Sequence, residues 1–142
     1  MPTTPKLDLT DSERALLRKC KIKISEIKQV SLQELSSALD VSIHRAKELK
    51  AQAEFQSIPS IGPRFAGDLM RLGYYSLTDL IGKNGAQLFE DLERLDGPGI
   101  DPCVEDQFRL VVYAASHGES DRQWWDFTEE RKRYRSKREQ SR

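Results

Sequence analysis

Apolar residues recur at helical spacing along most of the chain, interrupted at intervals by caps, glycines and prolines. Thr10 followed by Glu13 is a capping-box pattern and opens a helix through "SERALLRKC". Ser31 and Glu34 repeat the device in "SLQELSSAL", where Leu32, Leu35 and Leu39 fall on one face. A third helix, "SIHRAKELKAQAEF", takes Ser42 as its cap. "IPSIGP" breaks the pattern, and "RFAGDLMRLG" resumes it as far as Gly73, a C-cap. A short helix starts at Ser76, "AQLFEDLERL" carries the period to Leu95, and "DGPGI" makes a second turn. The last apolar helix, "DPCVEDQFRLVVYAASHG", has Asp101 as cap and Pro102 at its first position. No stretch alternates as a half-buried strand would, so the expected fold class is all-α.

The chain also resembles itself. Shifted by 53 residues, "LLRKCKIKISEIKQVSLQELSSAL" lies without a gap on "LMRLGYYSLTDLIGKNGAQLFEDL". Leu16 then meets Leu69, Arg18 meets Arg71, and Leu35 and Leu39 meet Leu88 and Leu92. A shift of 20 residues places "VSIHRAKEL" on "IGPRFAGDL". Two copies of a small helical unit, each bounded by a turn, account for both.

Composition changes the picture little: 142 residues, 37% hydrophobic and 32% charged, suit a helical chain with a modest core. No apolar run is long enough for a membrane span or a signal peptide, so a cytoplasmic location without membrane contact is the expectation. Cys20 and Cys103 are far apart and suggest neither a zinc site nor a disulfide framework. Charge matters more for its distribution than for its sum of zero. Ser76 to Asp121 holds 10 acidic and 3 basic residues, whereas Arg122 to Arg142 holds 8 basic and 4 acidic. A polyanion would therefore meet the tail, the first turn or the N-terminal helices.

The first turn has a chemistry of its own. A short turn entering a helix leaves backbone N–H groups unpaired, with the helix dipole behind them, and this suits a phosphate oxygen. Pro63 stands at the first helical position, where its missing N–H costs nothing, and Arg64 follows as a charged companion. Ser60, Ile61, Gly62, Pro63 and Arg64, with Arg71 one face along, form the candidate phosphate-binding set. Such a grip holds the backbone and reads no bases. A corner that merely sets the angle between two helices is the other reading. At the second turn Asp96, Asp101, Glu105 and Asp106 would repel a phosphate, so a structural role or a basic partner is expected there.

Ile58, Pro59, Ser60, Ile61, Gly62 and Ala66 resemble the core of the helix-hairpin-helix motif, apolar-Pro-Gly-apolar-Gly-x-x-x-Ala, with Ser60 in place of its first glycine. The resemblance implies tandem helix-hairpin-helix (SAM-like) units, and such turns can also hold a monovalent cation through carbonyls. Residues 50 to 127 are similar to the small bacterial pathogenicity-locus (mitomycin-resistance-like) family. "FQSIPSIGP", "LGYYSLTDL", "DPCVEDQFR" followed by "VVYAA", and "WWDFTEER" carry that similarity in order. It implies a helical fold and a link to DNA, without an established activity.

Nothing in the chain forms a nucleophile, base and oxyanion set, so no enzyme, metal or cofactor is expected. Cys103 begins a helix, whose dipole favours thiolate, but Asp101, Glu105 and Asp106 oppose ionisation. The pairs Glu90/Asp91 and Glu105/Asp106 diverge on a helix and do not converge on one metal. Trp124 and Trp125 are expected to anchor the tail, or to offer a stacking platform for unpaired bases. Arg131, Lys132, Arg133 and Arg135 are candidate supplementary contacts to nucleic acid.

The expected organisation is a disordered N-terminus (1–9), a helical unit (10–56), a hairpin unit (57–127) and a partly disordered basic tail (128–142). The expected function is sequence-independent DNA binding without catalysis. The alternative is a protein-interaction adaptor that uses the acidic central surface and makes no nucleic-acid contact.

Overall fold

The structure, a computed structural model, describes residues 4–118 and 120–140. Among the described residues it is helical throughout, with no strand, and no helix is long and apolar enough to cross a membrane. Two units form. One is the chain up to Ser57 together with Gly62–Ser76; the other is Ile58–Ile61 together with the chain from Leu77 onward.

The first unit contains α1 (Asp11–Lys19), a 3-10 helix (Ile24–Gln29), α2 (Leu32–Leu39), α3 (Ile43–Gln56) and α4 (Pro63–Arg71). α3 packs against α2, α4 and the 3-10 helix. Thr10 and Glu13 close the expected capping box, whereas at Ser31 only the hydroxyl half forms. Ser42 caps α3 by accepting from the Arg45 N–H at 3.1 Å. Leu17, Ile27, Leu35, Leu39, Ala46 and Leu49 are central to the core.

Residues 4–9, expected to be disordered, are docked, while the first three lie outside the described residues. Leu7 and Leu9 join the core, and the Gln56 amide takes both the N–H and the carbonyl of Lys6, at 2.8 and 2.9 Å. Two leucines in "KLDLT" are too few to show a period, which is why the segment reads as loose.

The second unit contains a 3-10 helix (Leu77–Leu80), α5 (Gly85–Asp96), α6 (Cys103–His117), a 3-10 helix (Trp124–Phe127) and α7 (Thr128–Gln140). Leu80, Leu88, Leu92, Phe108, Leu110 and Val111 are almost wholly buried. α5 lies so close to α6 that a Cβ at Gly85 would sit 2.9 Å from Arg109 Cα. Only glycine fits there.

The order helix, 3-10 helix, helix, helix thus occurs twice, from α1 to α3 and from α4 to α6. α1 ends with Lys21 at φ 59° and the bond Ile22 N–H to Leu17 O; α4 ends with Gly73 at φ 96° and the bond Tyr74 N–H to Leu69 O. These matched ends pair Leu17, not Leu16, with Leu69, a spacing of 52. The spacing of 53 returns at Ile27 and Leu80, both fully buried. The second loop is one residue longer, which an ungapped comparison cannot register.

A shorter repeat concerns the turns. "PSIGP" (59–63) and "PGIDP" (98–102) share their two prolines and the isoleucine, and Ser60 and Gly99 share the left-handed region at φ 64° and 102°.

Gly85→Ala should push α5 from α6 and cost about 1–3 kcal/mol in urea unfolding, without loss of helix by far-ultraviolet circular dichroism. In the first unit the buried Glu13 carboxylate meets Arg45 in two contacts, at 2.9 and 3.1 Å. The Arg45 hydrogen bond holds its carboxyl below the ordinary 4.5, against the opposing effect of burial. A lowered folded-state value means the stabilisation is present above pH 4.5 and lost as pH falls through the lower value. Glu13→Gln should therefore flatten the acid limb of the stability–pH curve.

Candidate nucleic-acid interface

Within the second unit, Ile58–Ile61 forms a tight turn in which Ile61 N–H donates to Ile58 O at 3.2 Å. Ile58 and Ile61 are buried. Ser60 takes the left-handed conformation that glycine adopts without penalty. Its hydroxyl donates to Pro59 O at 2.6 Å and accepts from Trp124 N–H at 3.0 Å. The donors expected from Ser60 Oγ and Ile61 N for phosphate are thus already committed inside the protein.

Within the first unit, α4 begins at an extended Gly62 (φ −103°, ψ −178°) with Pro63 at its first position and no side-chain cap. A Cβ at Gly62 would meet nothing within 4 Å. Gly62 and Arg64 N–H have no acceptor among the described residues. The Arg64 side chain is exposed and has no ion pair there. Gln52 Nε2 donates to Pro63 O at 3.1 Å and braces α4 against α3. Arg71, expected beside the phosphate, is drawn to Asp68 at 3.2 Å.

The starts of α1, α2, α3, α5 and α6 are closed. Thr10, Ser31, Ser42 and Asn84 cap α1, α2, α3 and α5. At α6 the Asp101 carboxylate accepts from Cys103 N–H at 2.9 Å. The two matched turns therefore differ at one decisive position. Gly62 leaves the helix start open, and Asp101, its counterpart, fills it.

The basic tail is not a free polycation. α7 extends to Gln140 where a frayed segment is expected beyond Arg133; residues 141–142 of that expectation lie outside the described residues. Its arginines turn inward onto two carboxylates of α6, with Glu105 1% and Asp106 0% exposed. Asp106 accepts from Arg131 Nε and from Thr128 Oγ1, each at 2.6 Å. Glu105 accepts from Arg135 Nε at 2.7 Å and from Arg109 Nε at 3.0 Å. Arg135 Nη2 also lies 2.6 Å from Glu105, at an angle that makes no hydrogen bond, so that contact is Coulombic. Arg138 reaches Glu90 at 2.8 Å.

Of the four tail residues expected to meet nucleic acid, Arg131 and Arg135 are consumed, and Lys132 and Arg133 are exposed. The acidic surface expected to meet a protein partner is neutralised at the same three carboxylates. The signal was in the sequence as complementary skews, acidic before Asp121 and basic after it. Adjacent carboxylates read only against each other do not reveal their arginine partners.

Anchoring falls to these pairs, to buried Phe127 and to the Trp124 N–H held by Ser60; Trp124 is half-buried and Trp125 is exposed. Burial pushes the Cys103 thiol up, and Asp101 and Asp106 push the same way, so the helix start creates no reactive thiolate. Among the described residues no cluster of His, Cys, Asp and Glu could hold a metal ion.

The class so defined is an all-helical protein with two turns of related sequence, one open at its helix start and one self-capped. The sequence model of the pathogenicity locus (Cdd1) family matches residues 48–133, and the chain belongs to that family. It is also similar to the mitomycin resistance protein McrB of Streptomyces lavendulae, 28% identical over 81 residues, which is 57% of this chain and 76% of that protein. No solved structure matches.

Arg131→Ala should strand a buried carboxylate and destabilise the protein by about 3–5 kcal/mol. Arg133→Ala, on the exposed face, should stay within about 0.5 kcal/mol, both read by urea unfolding.

Proposed function

We propose that the protein binds DNA without sequence preference and without catalysis, through tandem helix-hairpin-helix units of which the first holds backbone phosphate. The observation that carries this reading is the open start of α4, where the Gly62 and Arg64 amides and the Arg64 guanidinium lack partners among the described residues. Amides at a helix start, with the dipole behind them, suit an anion, and Arg64 adds charge in reach of the same phosphate. Ser60, Ile61, Arg71, Arg131 and Arg135 drop out of the contact set. Gly62, Pro63 and Arg64 remain, with Lys132 and Arg133 as further basic groups. Contacts of this kind position a duplex and leave its bases unread.

The self-capped turn supplies its own test. Gly62→Asp copies the Asp101 arrangement into open space at an allowed backbone conformation. It should keep the fold and weaken duplex binding by about tenfold or more, the worth of a lost charge-assisted hydrogen bond. Arg64→Ala should lower the slope of log affinity against log salt by about one. A salt titration of duplex binding by fluorescence anisotropy checks both, and absence of binding at low salt overturns the reading.

A further inference from the structure

Trp125 is 54% exposed, although it is among the largest apolar side chains of the chain. Its ring contact is with Trp124, edge to face, with centroids 5.4 Å apart and planes at 82°. One such contact leaves at least one face of the indole without a ring partner among the described residues. The backbone that carries the ring is held on both sides. Trp124 N–H is bonded to Ser60, Gln123 N–H donates to Asp126 Oδ2 at 2.8 Å, and Phe127 is buried two residues further on.

The Tyr113 ring of α6, by contrast, is covered. Arg122 is exposed and lies 4.6 Å over the Tyr113 ring. Tyr113 stacks on the exposed His117, with centroids 4.0 Å apart and planes at 13°. His117 and Arg122 thus cover the faces of Tyr113, and the open indole of Trp125 is the aromatic face on which one unpaired base can stack. A duplex hides its base faces and has no use for that open ring.

Ser60 explains the location. Glycine would take its left-handed conformation at less cost, yet glycine could not receive the Trp124 N–H. The serine tethers the tryptophan segment to the turn that leads into Gly62.

We propose that Trp125 stacks on an unpaired base of single-stranded DNA beside the first turn, so that the protein prefers single strands or duplex–single-strand junctions over intact duplex. The ligand class rests on the DNA reading above; the stacking rests on the aromatic geometry. Ser60 is a positioning residue for this contact.

The experiment titrates wild type, Trp125→Ala, Trp125→Phe and Ser60→Gly into a labelled oligothymidylate and into a labelled duplex of equal length, with circular dichroism as the control for folding. Trp125→Ala should weaken single-strand binding by roughly five- to a hundredfold, and Trp125→Phe should restore most of it. Duplex affinity should change by less than about twofold, as for an independent site. Ser60→Gly should weaken single-strand binding and shift the tryptophan emission while duplex binding holds. Single-strand binding unaffected by Trp125→Ala overturns the proposal and leaves the duplex reading standing, as does wild type that binds duplex alone. Binding to neither probe overturns both.

Discussion

Two carboxylates removed from water govern the second unit. Glu105 and Asp106 sit side by side on α6, and an unpaired buried anion there would cost several kcal/mol. Their adjacency sends them in different directions around the helix, so each needs its own cation. Arg109 comes from the same helix, but Arg131 and Arg135 come from α7, a helix with almost no apolar face. α7 is therefore ordered by charge and geometry more than by hydrophobic burial. The guanidinium's fixed fork suits this task better than an ammonium would.

This constraint reshapes the electrostatics. The sequence is acidic in its centre and basic in its tail, which invites separate partners for each. In the folded unit the two skews answer one another at Glu90, Glu105 and Asp106. What is left for an outside anion in the tail is small, and the α4 start with Arg64 and the exposed Arg14, Arg18, Lys19, Lys21 and Lys23 of the first unit lie outside this exchange.

Legibility followed the range of the interaction. Thr10, Ser42 and Gly73 act within a few residues of themselves, and their roles are visible in order along the chain. The core faces of α2 and α5 follow from helical period alone. Lys6 with Gln56, Ser60 with Trp124 and Asp106 with Arg131 join distant positions, and no local pattern announces them. Ser60 shows the difference best. In the sequence it is only a departure from a glycine motif, whereas its side chain works on a segment 64 residues away. The open start of α4 was legible because Gly62 and Pro63 set it themselves; the closure of α6 was half legible, since Asp101 was visible as a cap and its match to Gly62 was not.

The paired turns carry a consequence for how such a chain can diverge. "PSIGP" and "PGIDP" share two prolines, an isoleucine and a left-handed second residue, and an open helix start at Gly62 stands against a closed one at Asp101. Glycine and aspartate codons lie one nucleotide apart. A duplicated segment can therefore retire or restore one of its two ends by a single mutational step, leaving the scaffold that both copies support untouched.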